Sequence, residues 1–509
     1  MYNTKRGCFY KEKPLLFYFN RVYWNQTYQK NFFDDIPFGV SNSKLITKKI
    51  RLLHLMLAGS GNWYRKIDKY QKLLCDLNEK RIYADSLLEI WDTLQEVIKV
   101  FCEYIGKDHY RFLGLAQVGY NLLSIQLKDM ENRKEVIAGL IESGASKNMT
   151  MESNYELFCL SQYAKSLPEI YKVFLICPVQ EIYRELLNLQ TSEAEKFIKK
   201  FDDFIQRHGH RGTSCDDLYS PHWVERPEIV LELIKQFLLN PSDNLKQFSK
   251  CTKVVKKNYK VYKRKVFSHI SATYKGMPNR VWRMAKVLFF SNVSSRYMAL
   301  RENQRYYFDK SWLLIRRLLI DIGKKFVEYG LFFNEEDIFH LTIDEITGLV
   351  QNSELRKQKN WTKIIESRIR TYKKNARITP PYLIKNDSIY RIHGKINKNS
   401  FKAVGISSGT AVGRVHIILN IKDLSEVKDG EIAVVSTFHP SWTPILGIVS
   451  GLVMNYGNIL SHGAVIAREY RIPVVIFNDT ATTVFKNGQM IEINGDTGRI
   501  RVVGTETKT

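Results

Sequence analysis

From about residue 44 to residue 358, apolar side chains recur at the three- and four-residue spacing of helices, and few stretches alternate as strands do. Ile67, Tyr70, Leu74 and Leu77 form one such stripe, and Leu87, Trp91, Leu94 and Ile98 form the next. Stripes of this kind line cores far more often than cofactor sites. The first 43 residues are aromatic and irregular, with residues 17–25 reading as a short strand. A loop over 377–382, with two prolines, leads to a lysine- and asparagine-rich polar stretch, 385–400, whose composition predicts a mobile linker. Beyond residue 400 the pattern changes. Short apolar runs over 414–419, 431–436, 451–455, 474–477, 490–494 and 499–503 predict strands, and residues 461–470 predict a helix stopped by Pro473. The glycine cluster 405–413 precedes a strand and reads as a turn; 445–455 reads as a buried turn and strand. The expected fold class is multi-domain: a mainly α-helical N-terminal body followed by a compact α/β domain. The expected boundaries are 1–43, 44–384, the linker 385–400, and 401–509.

Composition narrows the class. The chain has 509 residues, 44% hydrophobic and 25% charged, which suits a soluble protein of two or three domains. No apolar run reaches the ~18 residues of a membrane span, and the N-terminus lacks the apolar core of a signal peptide, so a cytoplasmic protein without membrane contact is expected. Seven scattered cysteines with no Cys-x-x-Cys pair predict reduced thiols, not disulfides or a zinc site. The net charge of +25 lies almost wholly before residue 401, since 401–509 carries 10 Lys/Arg against 9 Asp/Glu. It peaks over 241–270, where Lys246, Lys250, Lys253, Lys256, Lys257, Lys260, Lys263, Arg264 and Lys265 face a single Asp243. No nucleic-acid-binding motif accompanies these lysines, so a solvated helical face is favoured over a nucleic-acid surface, with an anionic substrate or acidic partner as further readings.

The candidate chemistry centres on His462, in an otherwise apolar segment at the junction of a predicted strand and helix. Ser461 can cap that helix. A histidine in the first turn meets unpaired backbone N–H groups and the positive end of the helix dipole, which disfavours imidazolium and favours a nearby anion. The position suits a histidine that accepts and donates a phosphoryl group, with Ser461 and Gly463 stabilising the phosphoryl oxygens. A core histidine bonded to backbone fits the local pattern equally well.

The words around it carry a family resemblance. Leu460-Ser-His-Gly-Ala-Val-Ile-Ala-Arg-Glu-Tyr470, then Ile472-Pro-Val-Val475, resembles the swivelling phosphohistidine domain of the phosphoenolpyruvate synthase and pyruvate phosphate dikinase superfamily, and within it the rifampicin phosphotransferase branch. Gly405-Ile-Ser-Ser-Gly-Thr-Ala-Val-Gly-Arg414, Thr437-Phe-His-Pro-Ser-Trp-Thr-Pro444 and Asn494-Gly-Asp-Thr-Gly-Arg-Ile500 match in the same order. The chain departs from the family at His439, where Asp is usual, and at Asn458, where a second Gly is usual. Two words in the helical body resemble the branch's substrate domain. In Gly209-His-Arg-Gly-Thr-Ser-Cys-Asp-Asp-Leu-Tyr-Ser-Pro-His-Trp223, Arg211, Asp217, Pro221 and Trp223 match, and Cys215 stands where an acid is usual. In Leu300-Arg-Glu-Asn-Gln-Arg-Tyr306, Arg305 replaces a lysine.

Arg301 and Arg305, at i and i+4, share a helix face and could clamp a phosphoryl group in flight. Glu302 could orient an arginine or accept a proton from an attacking hydroxyl. A surface ion-pair helix is the plainer alternative. The resemblance implies a phosphotransferase in which His462 is the carrier, Arg301, Glu302 and Arg305 assist transfer, and Arg211 and Asp217 bind substrate. It also implies an ATP-grasp domain, which no segment here resembles. Residues 1–43 resemble the region that follows it. The expectation is therefore a subunit or partial enzyme loaded by a separate ATP-grasp protein that binds ATP and Mg2+, with a small-molecule hydroxyl as acceptor. No cofactor or metal is expected on this chain, and His208, His210, His222 and His439 stay unassigned. A non-catalytic binding module of the same fold, or a basic nucleic-acid-binding protein, are the alternatives.

Overall fold

The structure, a computed structural model, describes residues 15–18, 21–24, 53–57, 61, 63–131, 133–141, 148–213, 217–240, 251–358, 360–376, 383–385, 388–390, 400–419, 421–457, 461–477 and 481–503. The expected class is the one observed: a mostly helical chain with a C-terminal mixed sheet. It divides into two units, each discontinuous in sequence: residues 1–107 with 311–391, and residues 108–310 with 392–509.

The first unit is built on helices α1 (Trp63–Tyr83) and α2 (Leu87–Phe101), joined later in the chain by α12 (Ile343–Gln351), α13 (Ser353–Gln358) and α14 (Trp361–Ala376). The stripe Ile67, Tyr70, Leu74 and Leu77 is buried as its spacing predicts. In α2 the last turn buries Val97 and leaves Ile98 half-buried. Ser86 and Glu89 close α2 with a reciprocal capping box that satisfies two otherwise unpaired N–H groups. The segment predicted as one strand over 17–25 is instead a hairpin: β1 (Leu15–Tyr18) pairs antiparallel with β2 (Arg21–Trp24), so the chain reverses where a straight run was read. Strands β3 (Leu383–Lys385) and β4 (Ser388–Tyr390) pair at the start of the predicted linker, and the 377–382 loop lies outside the described residues.

The second unit contains helices α3 (Lys107–Gln126, of which Lys107 falls in the first unit), α4 (Arg133–Ile141), α5 (Met149–Lys165), α6 (Pro168–Ile176), α7 (Val179–Asn188), α8 (Ser192–His208), α9 (Glu228–Leu239) and α10 (Cys251–Thr273), with α11 (Met277–Glu328) up to Lys310. Helices α5 to α9 bury a shared core of Leu157, Phe174, Phe197, Phe201, Phe204, Trp223 and Phe237. The basic block falls on α10 and the residues before it, of which 241–250 lie outside the described residues.

The C-terminal part of this unit is an eight-stranded mixed sheet in the order β5 (Ser400–Lys402), β12 (Arg499–Val502), β11 (Met490–Asn494), β7 (Thr410–Ile418), β8 (Ile432–Val435), β9 (Gly451–Met454), β10 (Val474–Ile476), β6 (Val404–Ser407). Strands β7 to β10 run parallel, and β8, β9 and β10 are buried at every residue, which is why their sequences read as unbroken apolar runs. The glycine-rich segment is not a continuous turn: only 408–409 turns, with Gly409 at φ +113°, and the rest enters β6 and β7. Gly413 lies in β7 where a Cβ would meet the Gly430 carbonyl oxygen at 2.4 Å, so glycine serves close backbone approach there.

Candidate active site

Two parallel strands deliver the site from their carboxyl ends, where open α/β sheets usually bind ligands. After β8 the chain enters a 3-10 helix over Pro440–Gly447 that carries Thr443; after β9 it enters α15 (His462–Tyr470). Because β8 and β9 are neighbours, Thr443 and His462 come together, with Thr443 Oγ1 at 3.3 Å from His462 Nε2. Ser461 takes the N-cap position, but its side chain does not make the cap hydrogen bond that its type predicts. Gly463 follows against Phe438, whose Cβ would stand 2.7 Å from an added methyl. Arg471, in the left-handed region at φ 59°, ends the helix, and the Ile472 N–H closes on Ala467 O at 2.9 Å.

The partner of the other ring nitrogen comes from α11. Glu302 Oε2 lies 2.5 Å from His462 Nδ1, and its other oxygen pairs with the Arg301 guanidinium. Arg301 and Glu302 are both buried, and the His462 side chain is 15% exposed. Burial alone would raise the Glu302 carboxyl, but Arg301 and His462 together outweigh it and hold the group well below the usual carboxylate range. An ionised carboxylate only accepts, so Nδ1 carries a proton toward Glu302, and Nε2 faces the Thr443 hydroxyl.

The other predicted residues are placed differently. Arg305 turns to Asp309, Nε to Oδ1 at 3.6 Å, with its guanidinium 4.7 Å from the Phe308 ring, while Arg301 is held by Glu302. Each of the two arginines thus has an acid beside it, Glu302 for Arg301 and Asp309 for Arg305. Arg211 is buried, donates to Ser153 Oγ at 2.8 Å and sits 5.0 Å over the Trp223 ring. Asp217 accepts from the Tyr219 N–H at 3.0 Å and the Ser220 hydroxyl at 2.6 Å, a local turn. Cys215 and Asn458 lie outside the described residues. His439 packs edge-on to Trp442 at 4.6 Å.

Sequence reasoning missed Thr443, although it stands in the quoted word before Pro444; only the adjacency of β8 and β9 gives it a role. It also left unassigned a buried cluster around Tyr306, one helical turn beyond Glu302. His208 Nε2 meets Glu156 Oε2 at 3.0 Å and its Nδ1 meets the Tyr306 hydroxyl at 2.8 Å. Burial, then the charges of Arg211, Arg207 and Lys310, push His208 down to about 3, so the ring is neutral. Since the carboxylate can only accept, the ring proton sits on Nε2, while the Tyr306 hydroxyl that faces Nδ1 also donates to Arg207 O at 3.0 Å. Burial raises the Tyr306 phenol and depresses His210, whose ring lies edge-on to Tyr306 at 4.4 Å. Among the described residues no group of three or more His, Cys, Asp or Glu converges as metal ligands do, and no helix is long and apolar enough to cross a membrane.

Comparison with known proteins adds to this geometry. Residues 111–302 match the model of the rifampicin phosphotransferase fourth domain, and residues 427–498 that of the PEP-utilising enzyme mobile domain. The chain is 26% identical to a rifampicin phosphotransferase of Bacillus cereus over 374 residues, 72% of this chain and 41% of the relative. A rifampicin phosphotransferase of Bacillus subtilis is likewise 26% identical over 373 residues, 72% of this chain and 41% of its own length. An uncharacterised phosphotransferase of Bacillus subtilis, YvkC, is 25% identical over 442 residues, 85% of this chain and 51% of its own. The chain thus spans about two fifths to half the length of these relatives. It carries domains of two kinds, one known from rifampicin phosphotransferases and one from PEP-utilising enzymes.

Proposed function

We propose that His462 carries a phosphoryl group on Nε2, received from ATP through a separate ATP-grasp protein, and passes it to a hydroxyl of a small molecule bound by the helical part of the second unit. The observation that carries this reading is the 2.5 Å contact between His462 Nδ1 and the buried, ionised Glu302. In loading, the Nε2 lone pair forms the N–P bond as the donor's P–O bond breaks, its electrons leaving on the donor oxygen. The positive charge that then develops on the ring is offset by Glu302, itself held ionised by Arg301. In transfer, the acceptor oxygen attacks phosphorus, the N–P pair returns to Nε2, and the hydroxyl proton leaves to a base or solvent.

The remaining roles follow from position. Ser461 and Gly463 begin α15, whose first-turn N–H groups and dipole suit phosphoryl oxygens. Thr443, at the nucleophilic nitrogen, orients Nε2. Arg305 lies one turn along α11 from Arg301, beside the path of the acceptor. Arg211 supports the acceptor domain from beneath Trp223, with Asp217 in the adjoining turn. ATP and Mg2+ belong to the ATP-grasp protein, and by the family resemblance the products are AMP, inorganic phosphate and the phosphorylated acceptor. The names of the relatives support transfer to a small molecule.

The test is incubation with β-labelled and γ-labelled ATP, with and without a candidate ATP-grasp protein from the same organism, on wild type and His462→Ala. Acid-labile β label that needs both the partner and His462 is expected. No label on folded wild-type chain, with a partner shown to cleave ATP, would replace the carrier by a non-catalytic binding module.

A further inference from the structure

We infer that Gln236 and Asn240, at the end of α9, are positioning residues: they clasp the 425–429 loop of the histidine domain and hold His462 in register with Glu302. Gln236 Nε2 donates to Ser425 O at 2.6 Å, and Asn240 Oδ1 accepts the Asp429 N–H at 3.0 Å. Both bonds run from a side-chain amide to loop backbone, so they read the loop's position whatever its side chains. The amides are themselves fixed. Asn240 Nδ2 donates to Gln236 Oε1 at 3.1 Å, and Gln236 Nε2 also donates to Glu232 Oε1 at 2.8 Å.

The loop they grip is tied at both ends by local hydrogen bonds. Asp423 accepts the Leu419 N–H at 2.7 Å and Glu431 accepts the Lys428 N–H at 2.9 Å. The apolar contact between the two parts, where Leu157, Phe237 and Leu238 share a core with Leu424, Val427, Ile445 and Leu446, supplies adhesion, which has no direction. Directional bonds must set the register. Others lie away from the clasp, among them Asn154 Nδ2 to the Tyr470 hydroxyl at 3.3 Å, the Ser441 hydroxyl to Thr213 O at 3.3 Å, and the His462–Glu302 bond itself. A site whose reacting atoms must align to within about an ångström needs such registration.

The clasp is also accessible to solvent. A cleft of about 560 Å³ runs beside it, lined by Gln236, Asn240, His416, Lys428, Glu431 and Asn487, so water can take over the broken bonds and release costs little. The role in transfer rests on the carrier reading, but docking itself does not, and the experiment reads docking alone.

The full chain, wild type and the double variant Gln236→Ala/Asn240→Ala, is treated with diethyl pyrocarbonate, and modification of His462 is followed by peptide mapping. Undocking frees His462 from Glu302, so the variant is expected to react about tenfold faster at His462, equivalent to ~1.4 kcal/mol of docking. His340, which lies in the first unit and does not line this cleft, is expected to keep its rate. Gln236→Glu, which sets a carboxylate against the Ser425 carbonyl, is expected to act in the same direction and covers the case in which the double variant does not fold. An unchanged His462 rate in a folded variant, with faster hydrogen exchange confined to 425–429, would reduce the clasp to a local loop contact. Because neither ATP nor acceptor is present, a failed labelling experiment would leave this result standing.

Discussion

A neutral imidazole has one proton and two nitrogens, so the partner of one nitrogen decides the chemistry of the other. Glu302 accepts the Nδ1–H of His462, and in the proposed reaction Nε2 is the nucleophile. Glu302→Gln keeps the shape but lets either tautomer form and removes the charge that balances a phosphorylated ring. Label transfer through His462 should fall on the order of 10²-fold in a single-turnover assay, with little change in melting temperature. Equal transfer rates in the two proteins would remove Glu302 from the chemistry. His208 gives a prediction of pH dependence. Its ordinary value is 6.5 and the folded chain holds it at about 3, so between those values the unfolded chain binds a proton that the folded one does not. Stability is therefore full above pH 6.5 and lost as pH falls toward 3, by ~2 kcal/mol between pH 6.5 and 5. Below 4.5, the lowered carboxyl of Glu302 adds to the loss in the same direction. Thermal melts across this range should fall less steeply for His208→Gln than for wild type. Parallel slopes would mean that His208 does not carry the dependence. Residue chemistry was partly legible from sequence: Arg301, Glu302 and His462 stand in words that suggested transfer. Their division into pairs was not, because Asp309 competes for Arg305 only once the side chains are packed.

At the scale of elements, α15 has to start close against the sheet for His462 to sit where it does. Gly463 permits this, since a methyl there would stand 2.7 Å from Phe438 Cβ and 3.2 Å from Met454 Sδ. Gly463→Ala should cost ~1–3 kcal/mol of stability and move the helix start, so label on His462 should drop even in protein that melts normally. Unchanged loading would show that the helix start tolerates displacement. The strands of this domain were legible because β8, β9 and β10 are buried on both faces and leave uninterrupted apolar runs. The segment 405–413 was less so. Its glycines look like turn residues, yet Gly413 serves a close backbone crossing inside β7, which requires knowing that Gly430 lies opposite. Thr443 was hidden for the same kind of reason: β8 and β9, which flank it in sequence, had to pair in parallel before the connection after β8 met the helix that follows β9.

At the scale of the whole molecule, the sequence pattern gave the order of a helical body and an α/β domain, but no local word marks where α11 passes from one unit to the other. Such boundaries depend on contacts between distant segments. The excess of +25 charges also acts at this scale. It should give weak, non-specific retention of duplex DNA at low salt that disappears by ~0.15 M, as counterion release dictates; binding that persists and is abolished by neutralising Lys250 to Lys265 would restore the nucleic-acid reading. The account as a whole stands on His462 as a carrier. Its most direct test is intact-protein mass spectrometry, at neutral to alkaline pH, of the chain isolated from cells that naturally express it. A single phosphoryl adduct that maps to His462, disappears on brief acid treatment and is missing from His462→Ala is the predicted result. An unmodified His462 in wild-type chain, under conditions where a known phosphohistidine protein from the same cells keeps its label, would contradict it.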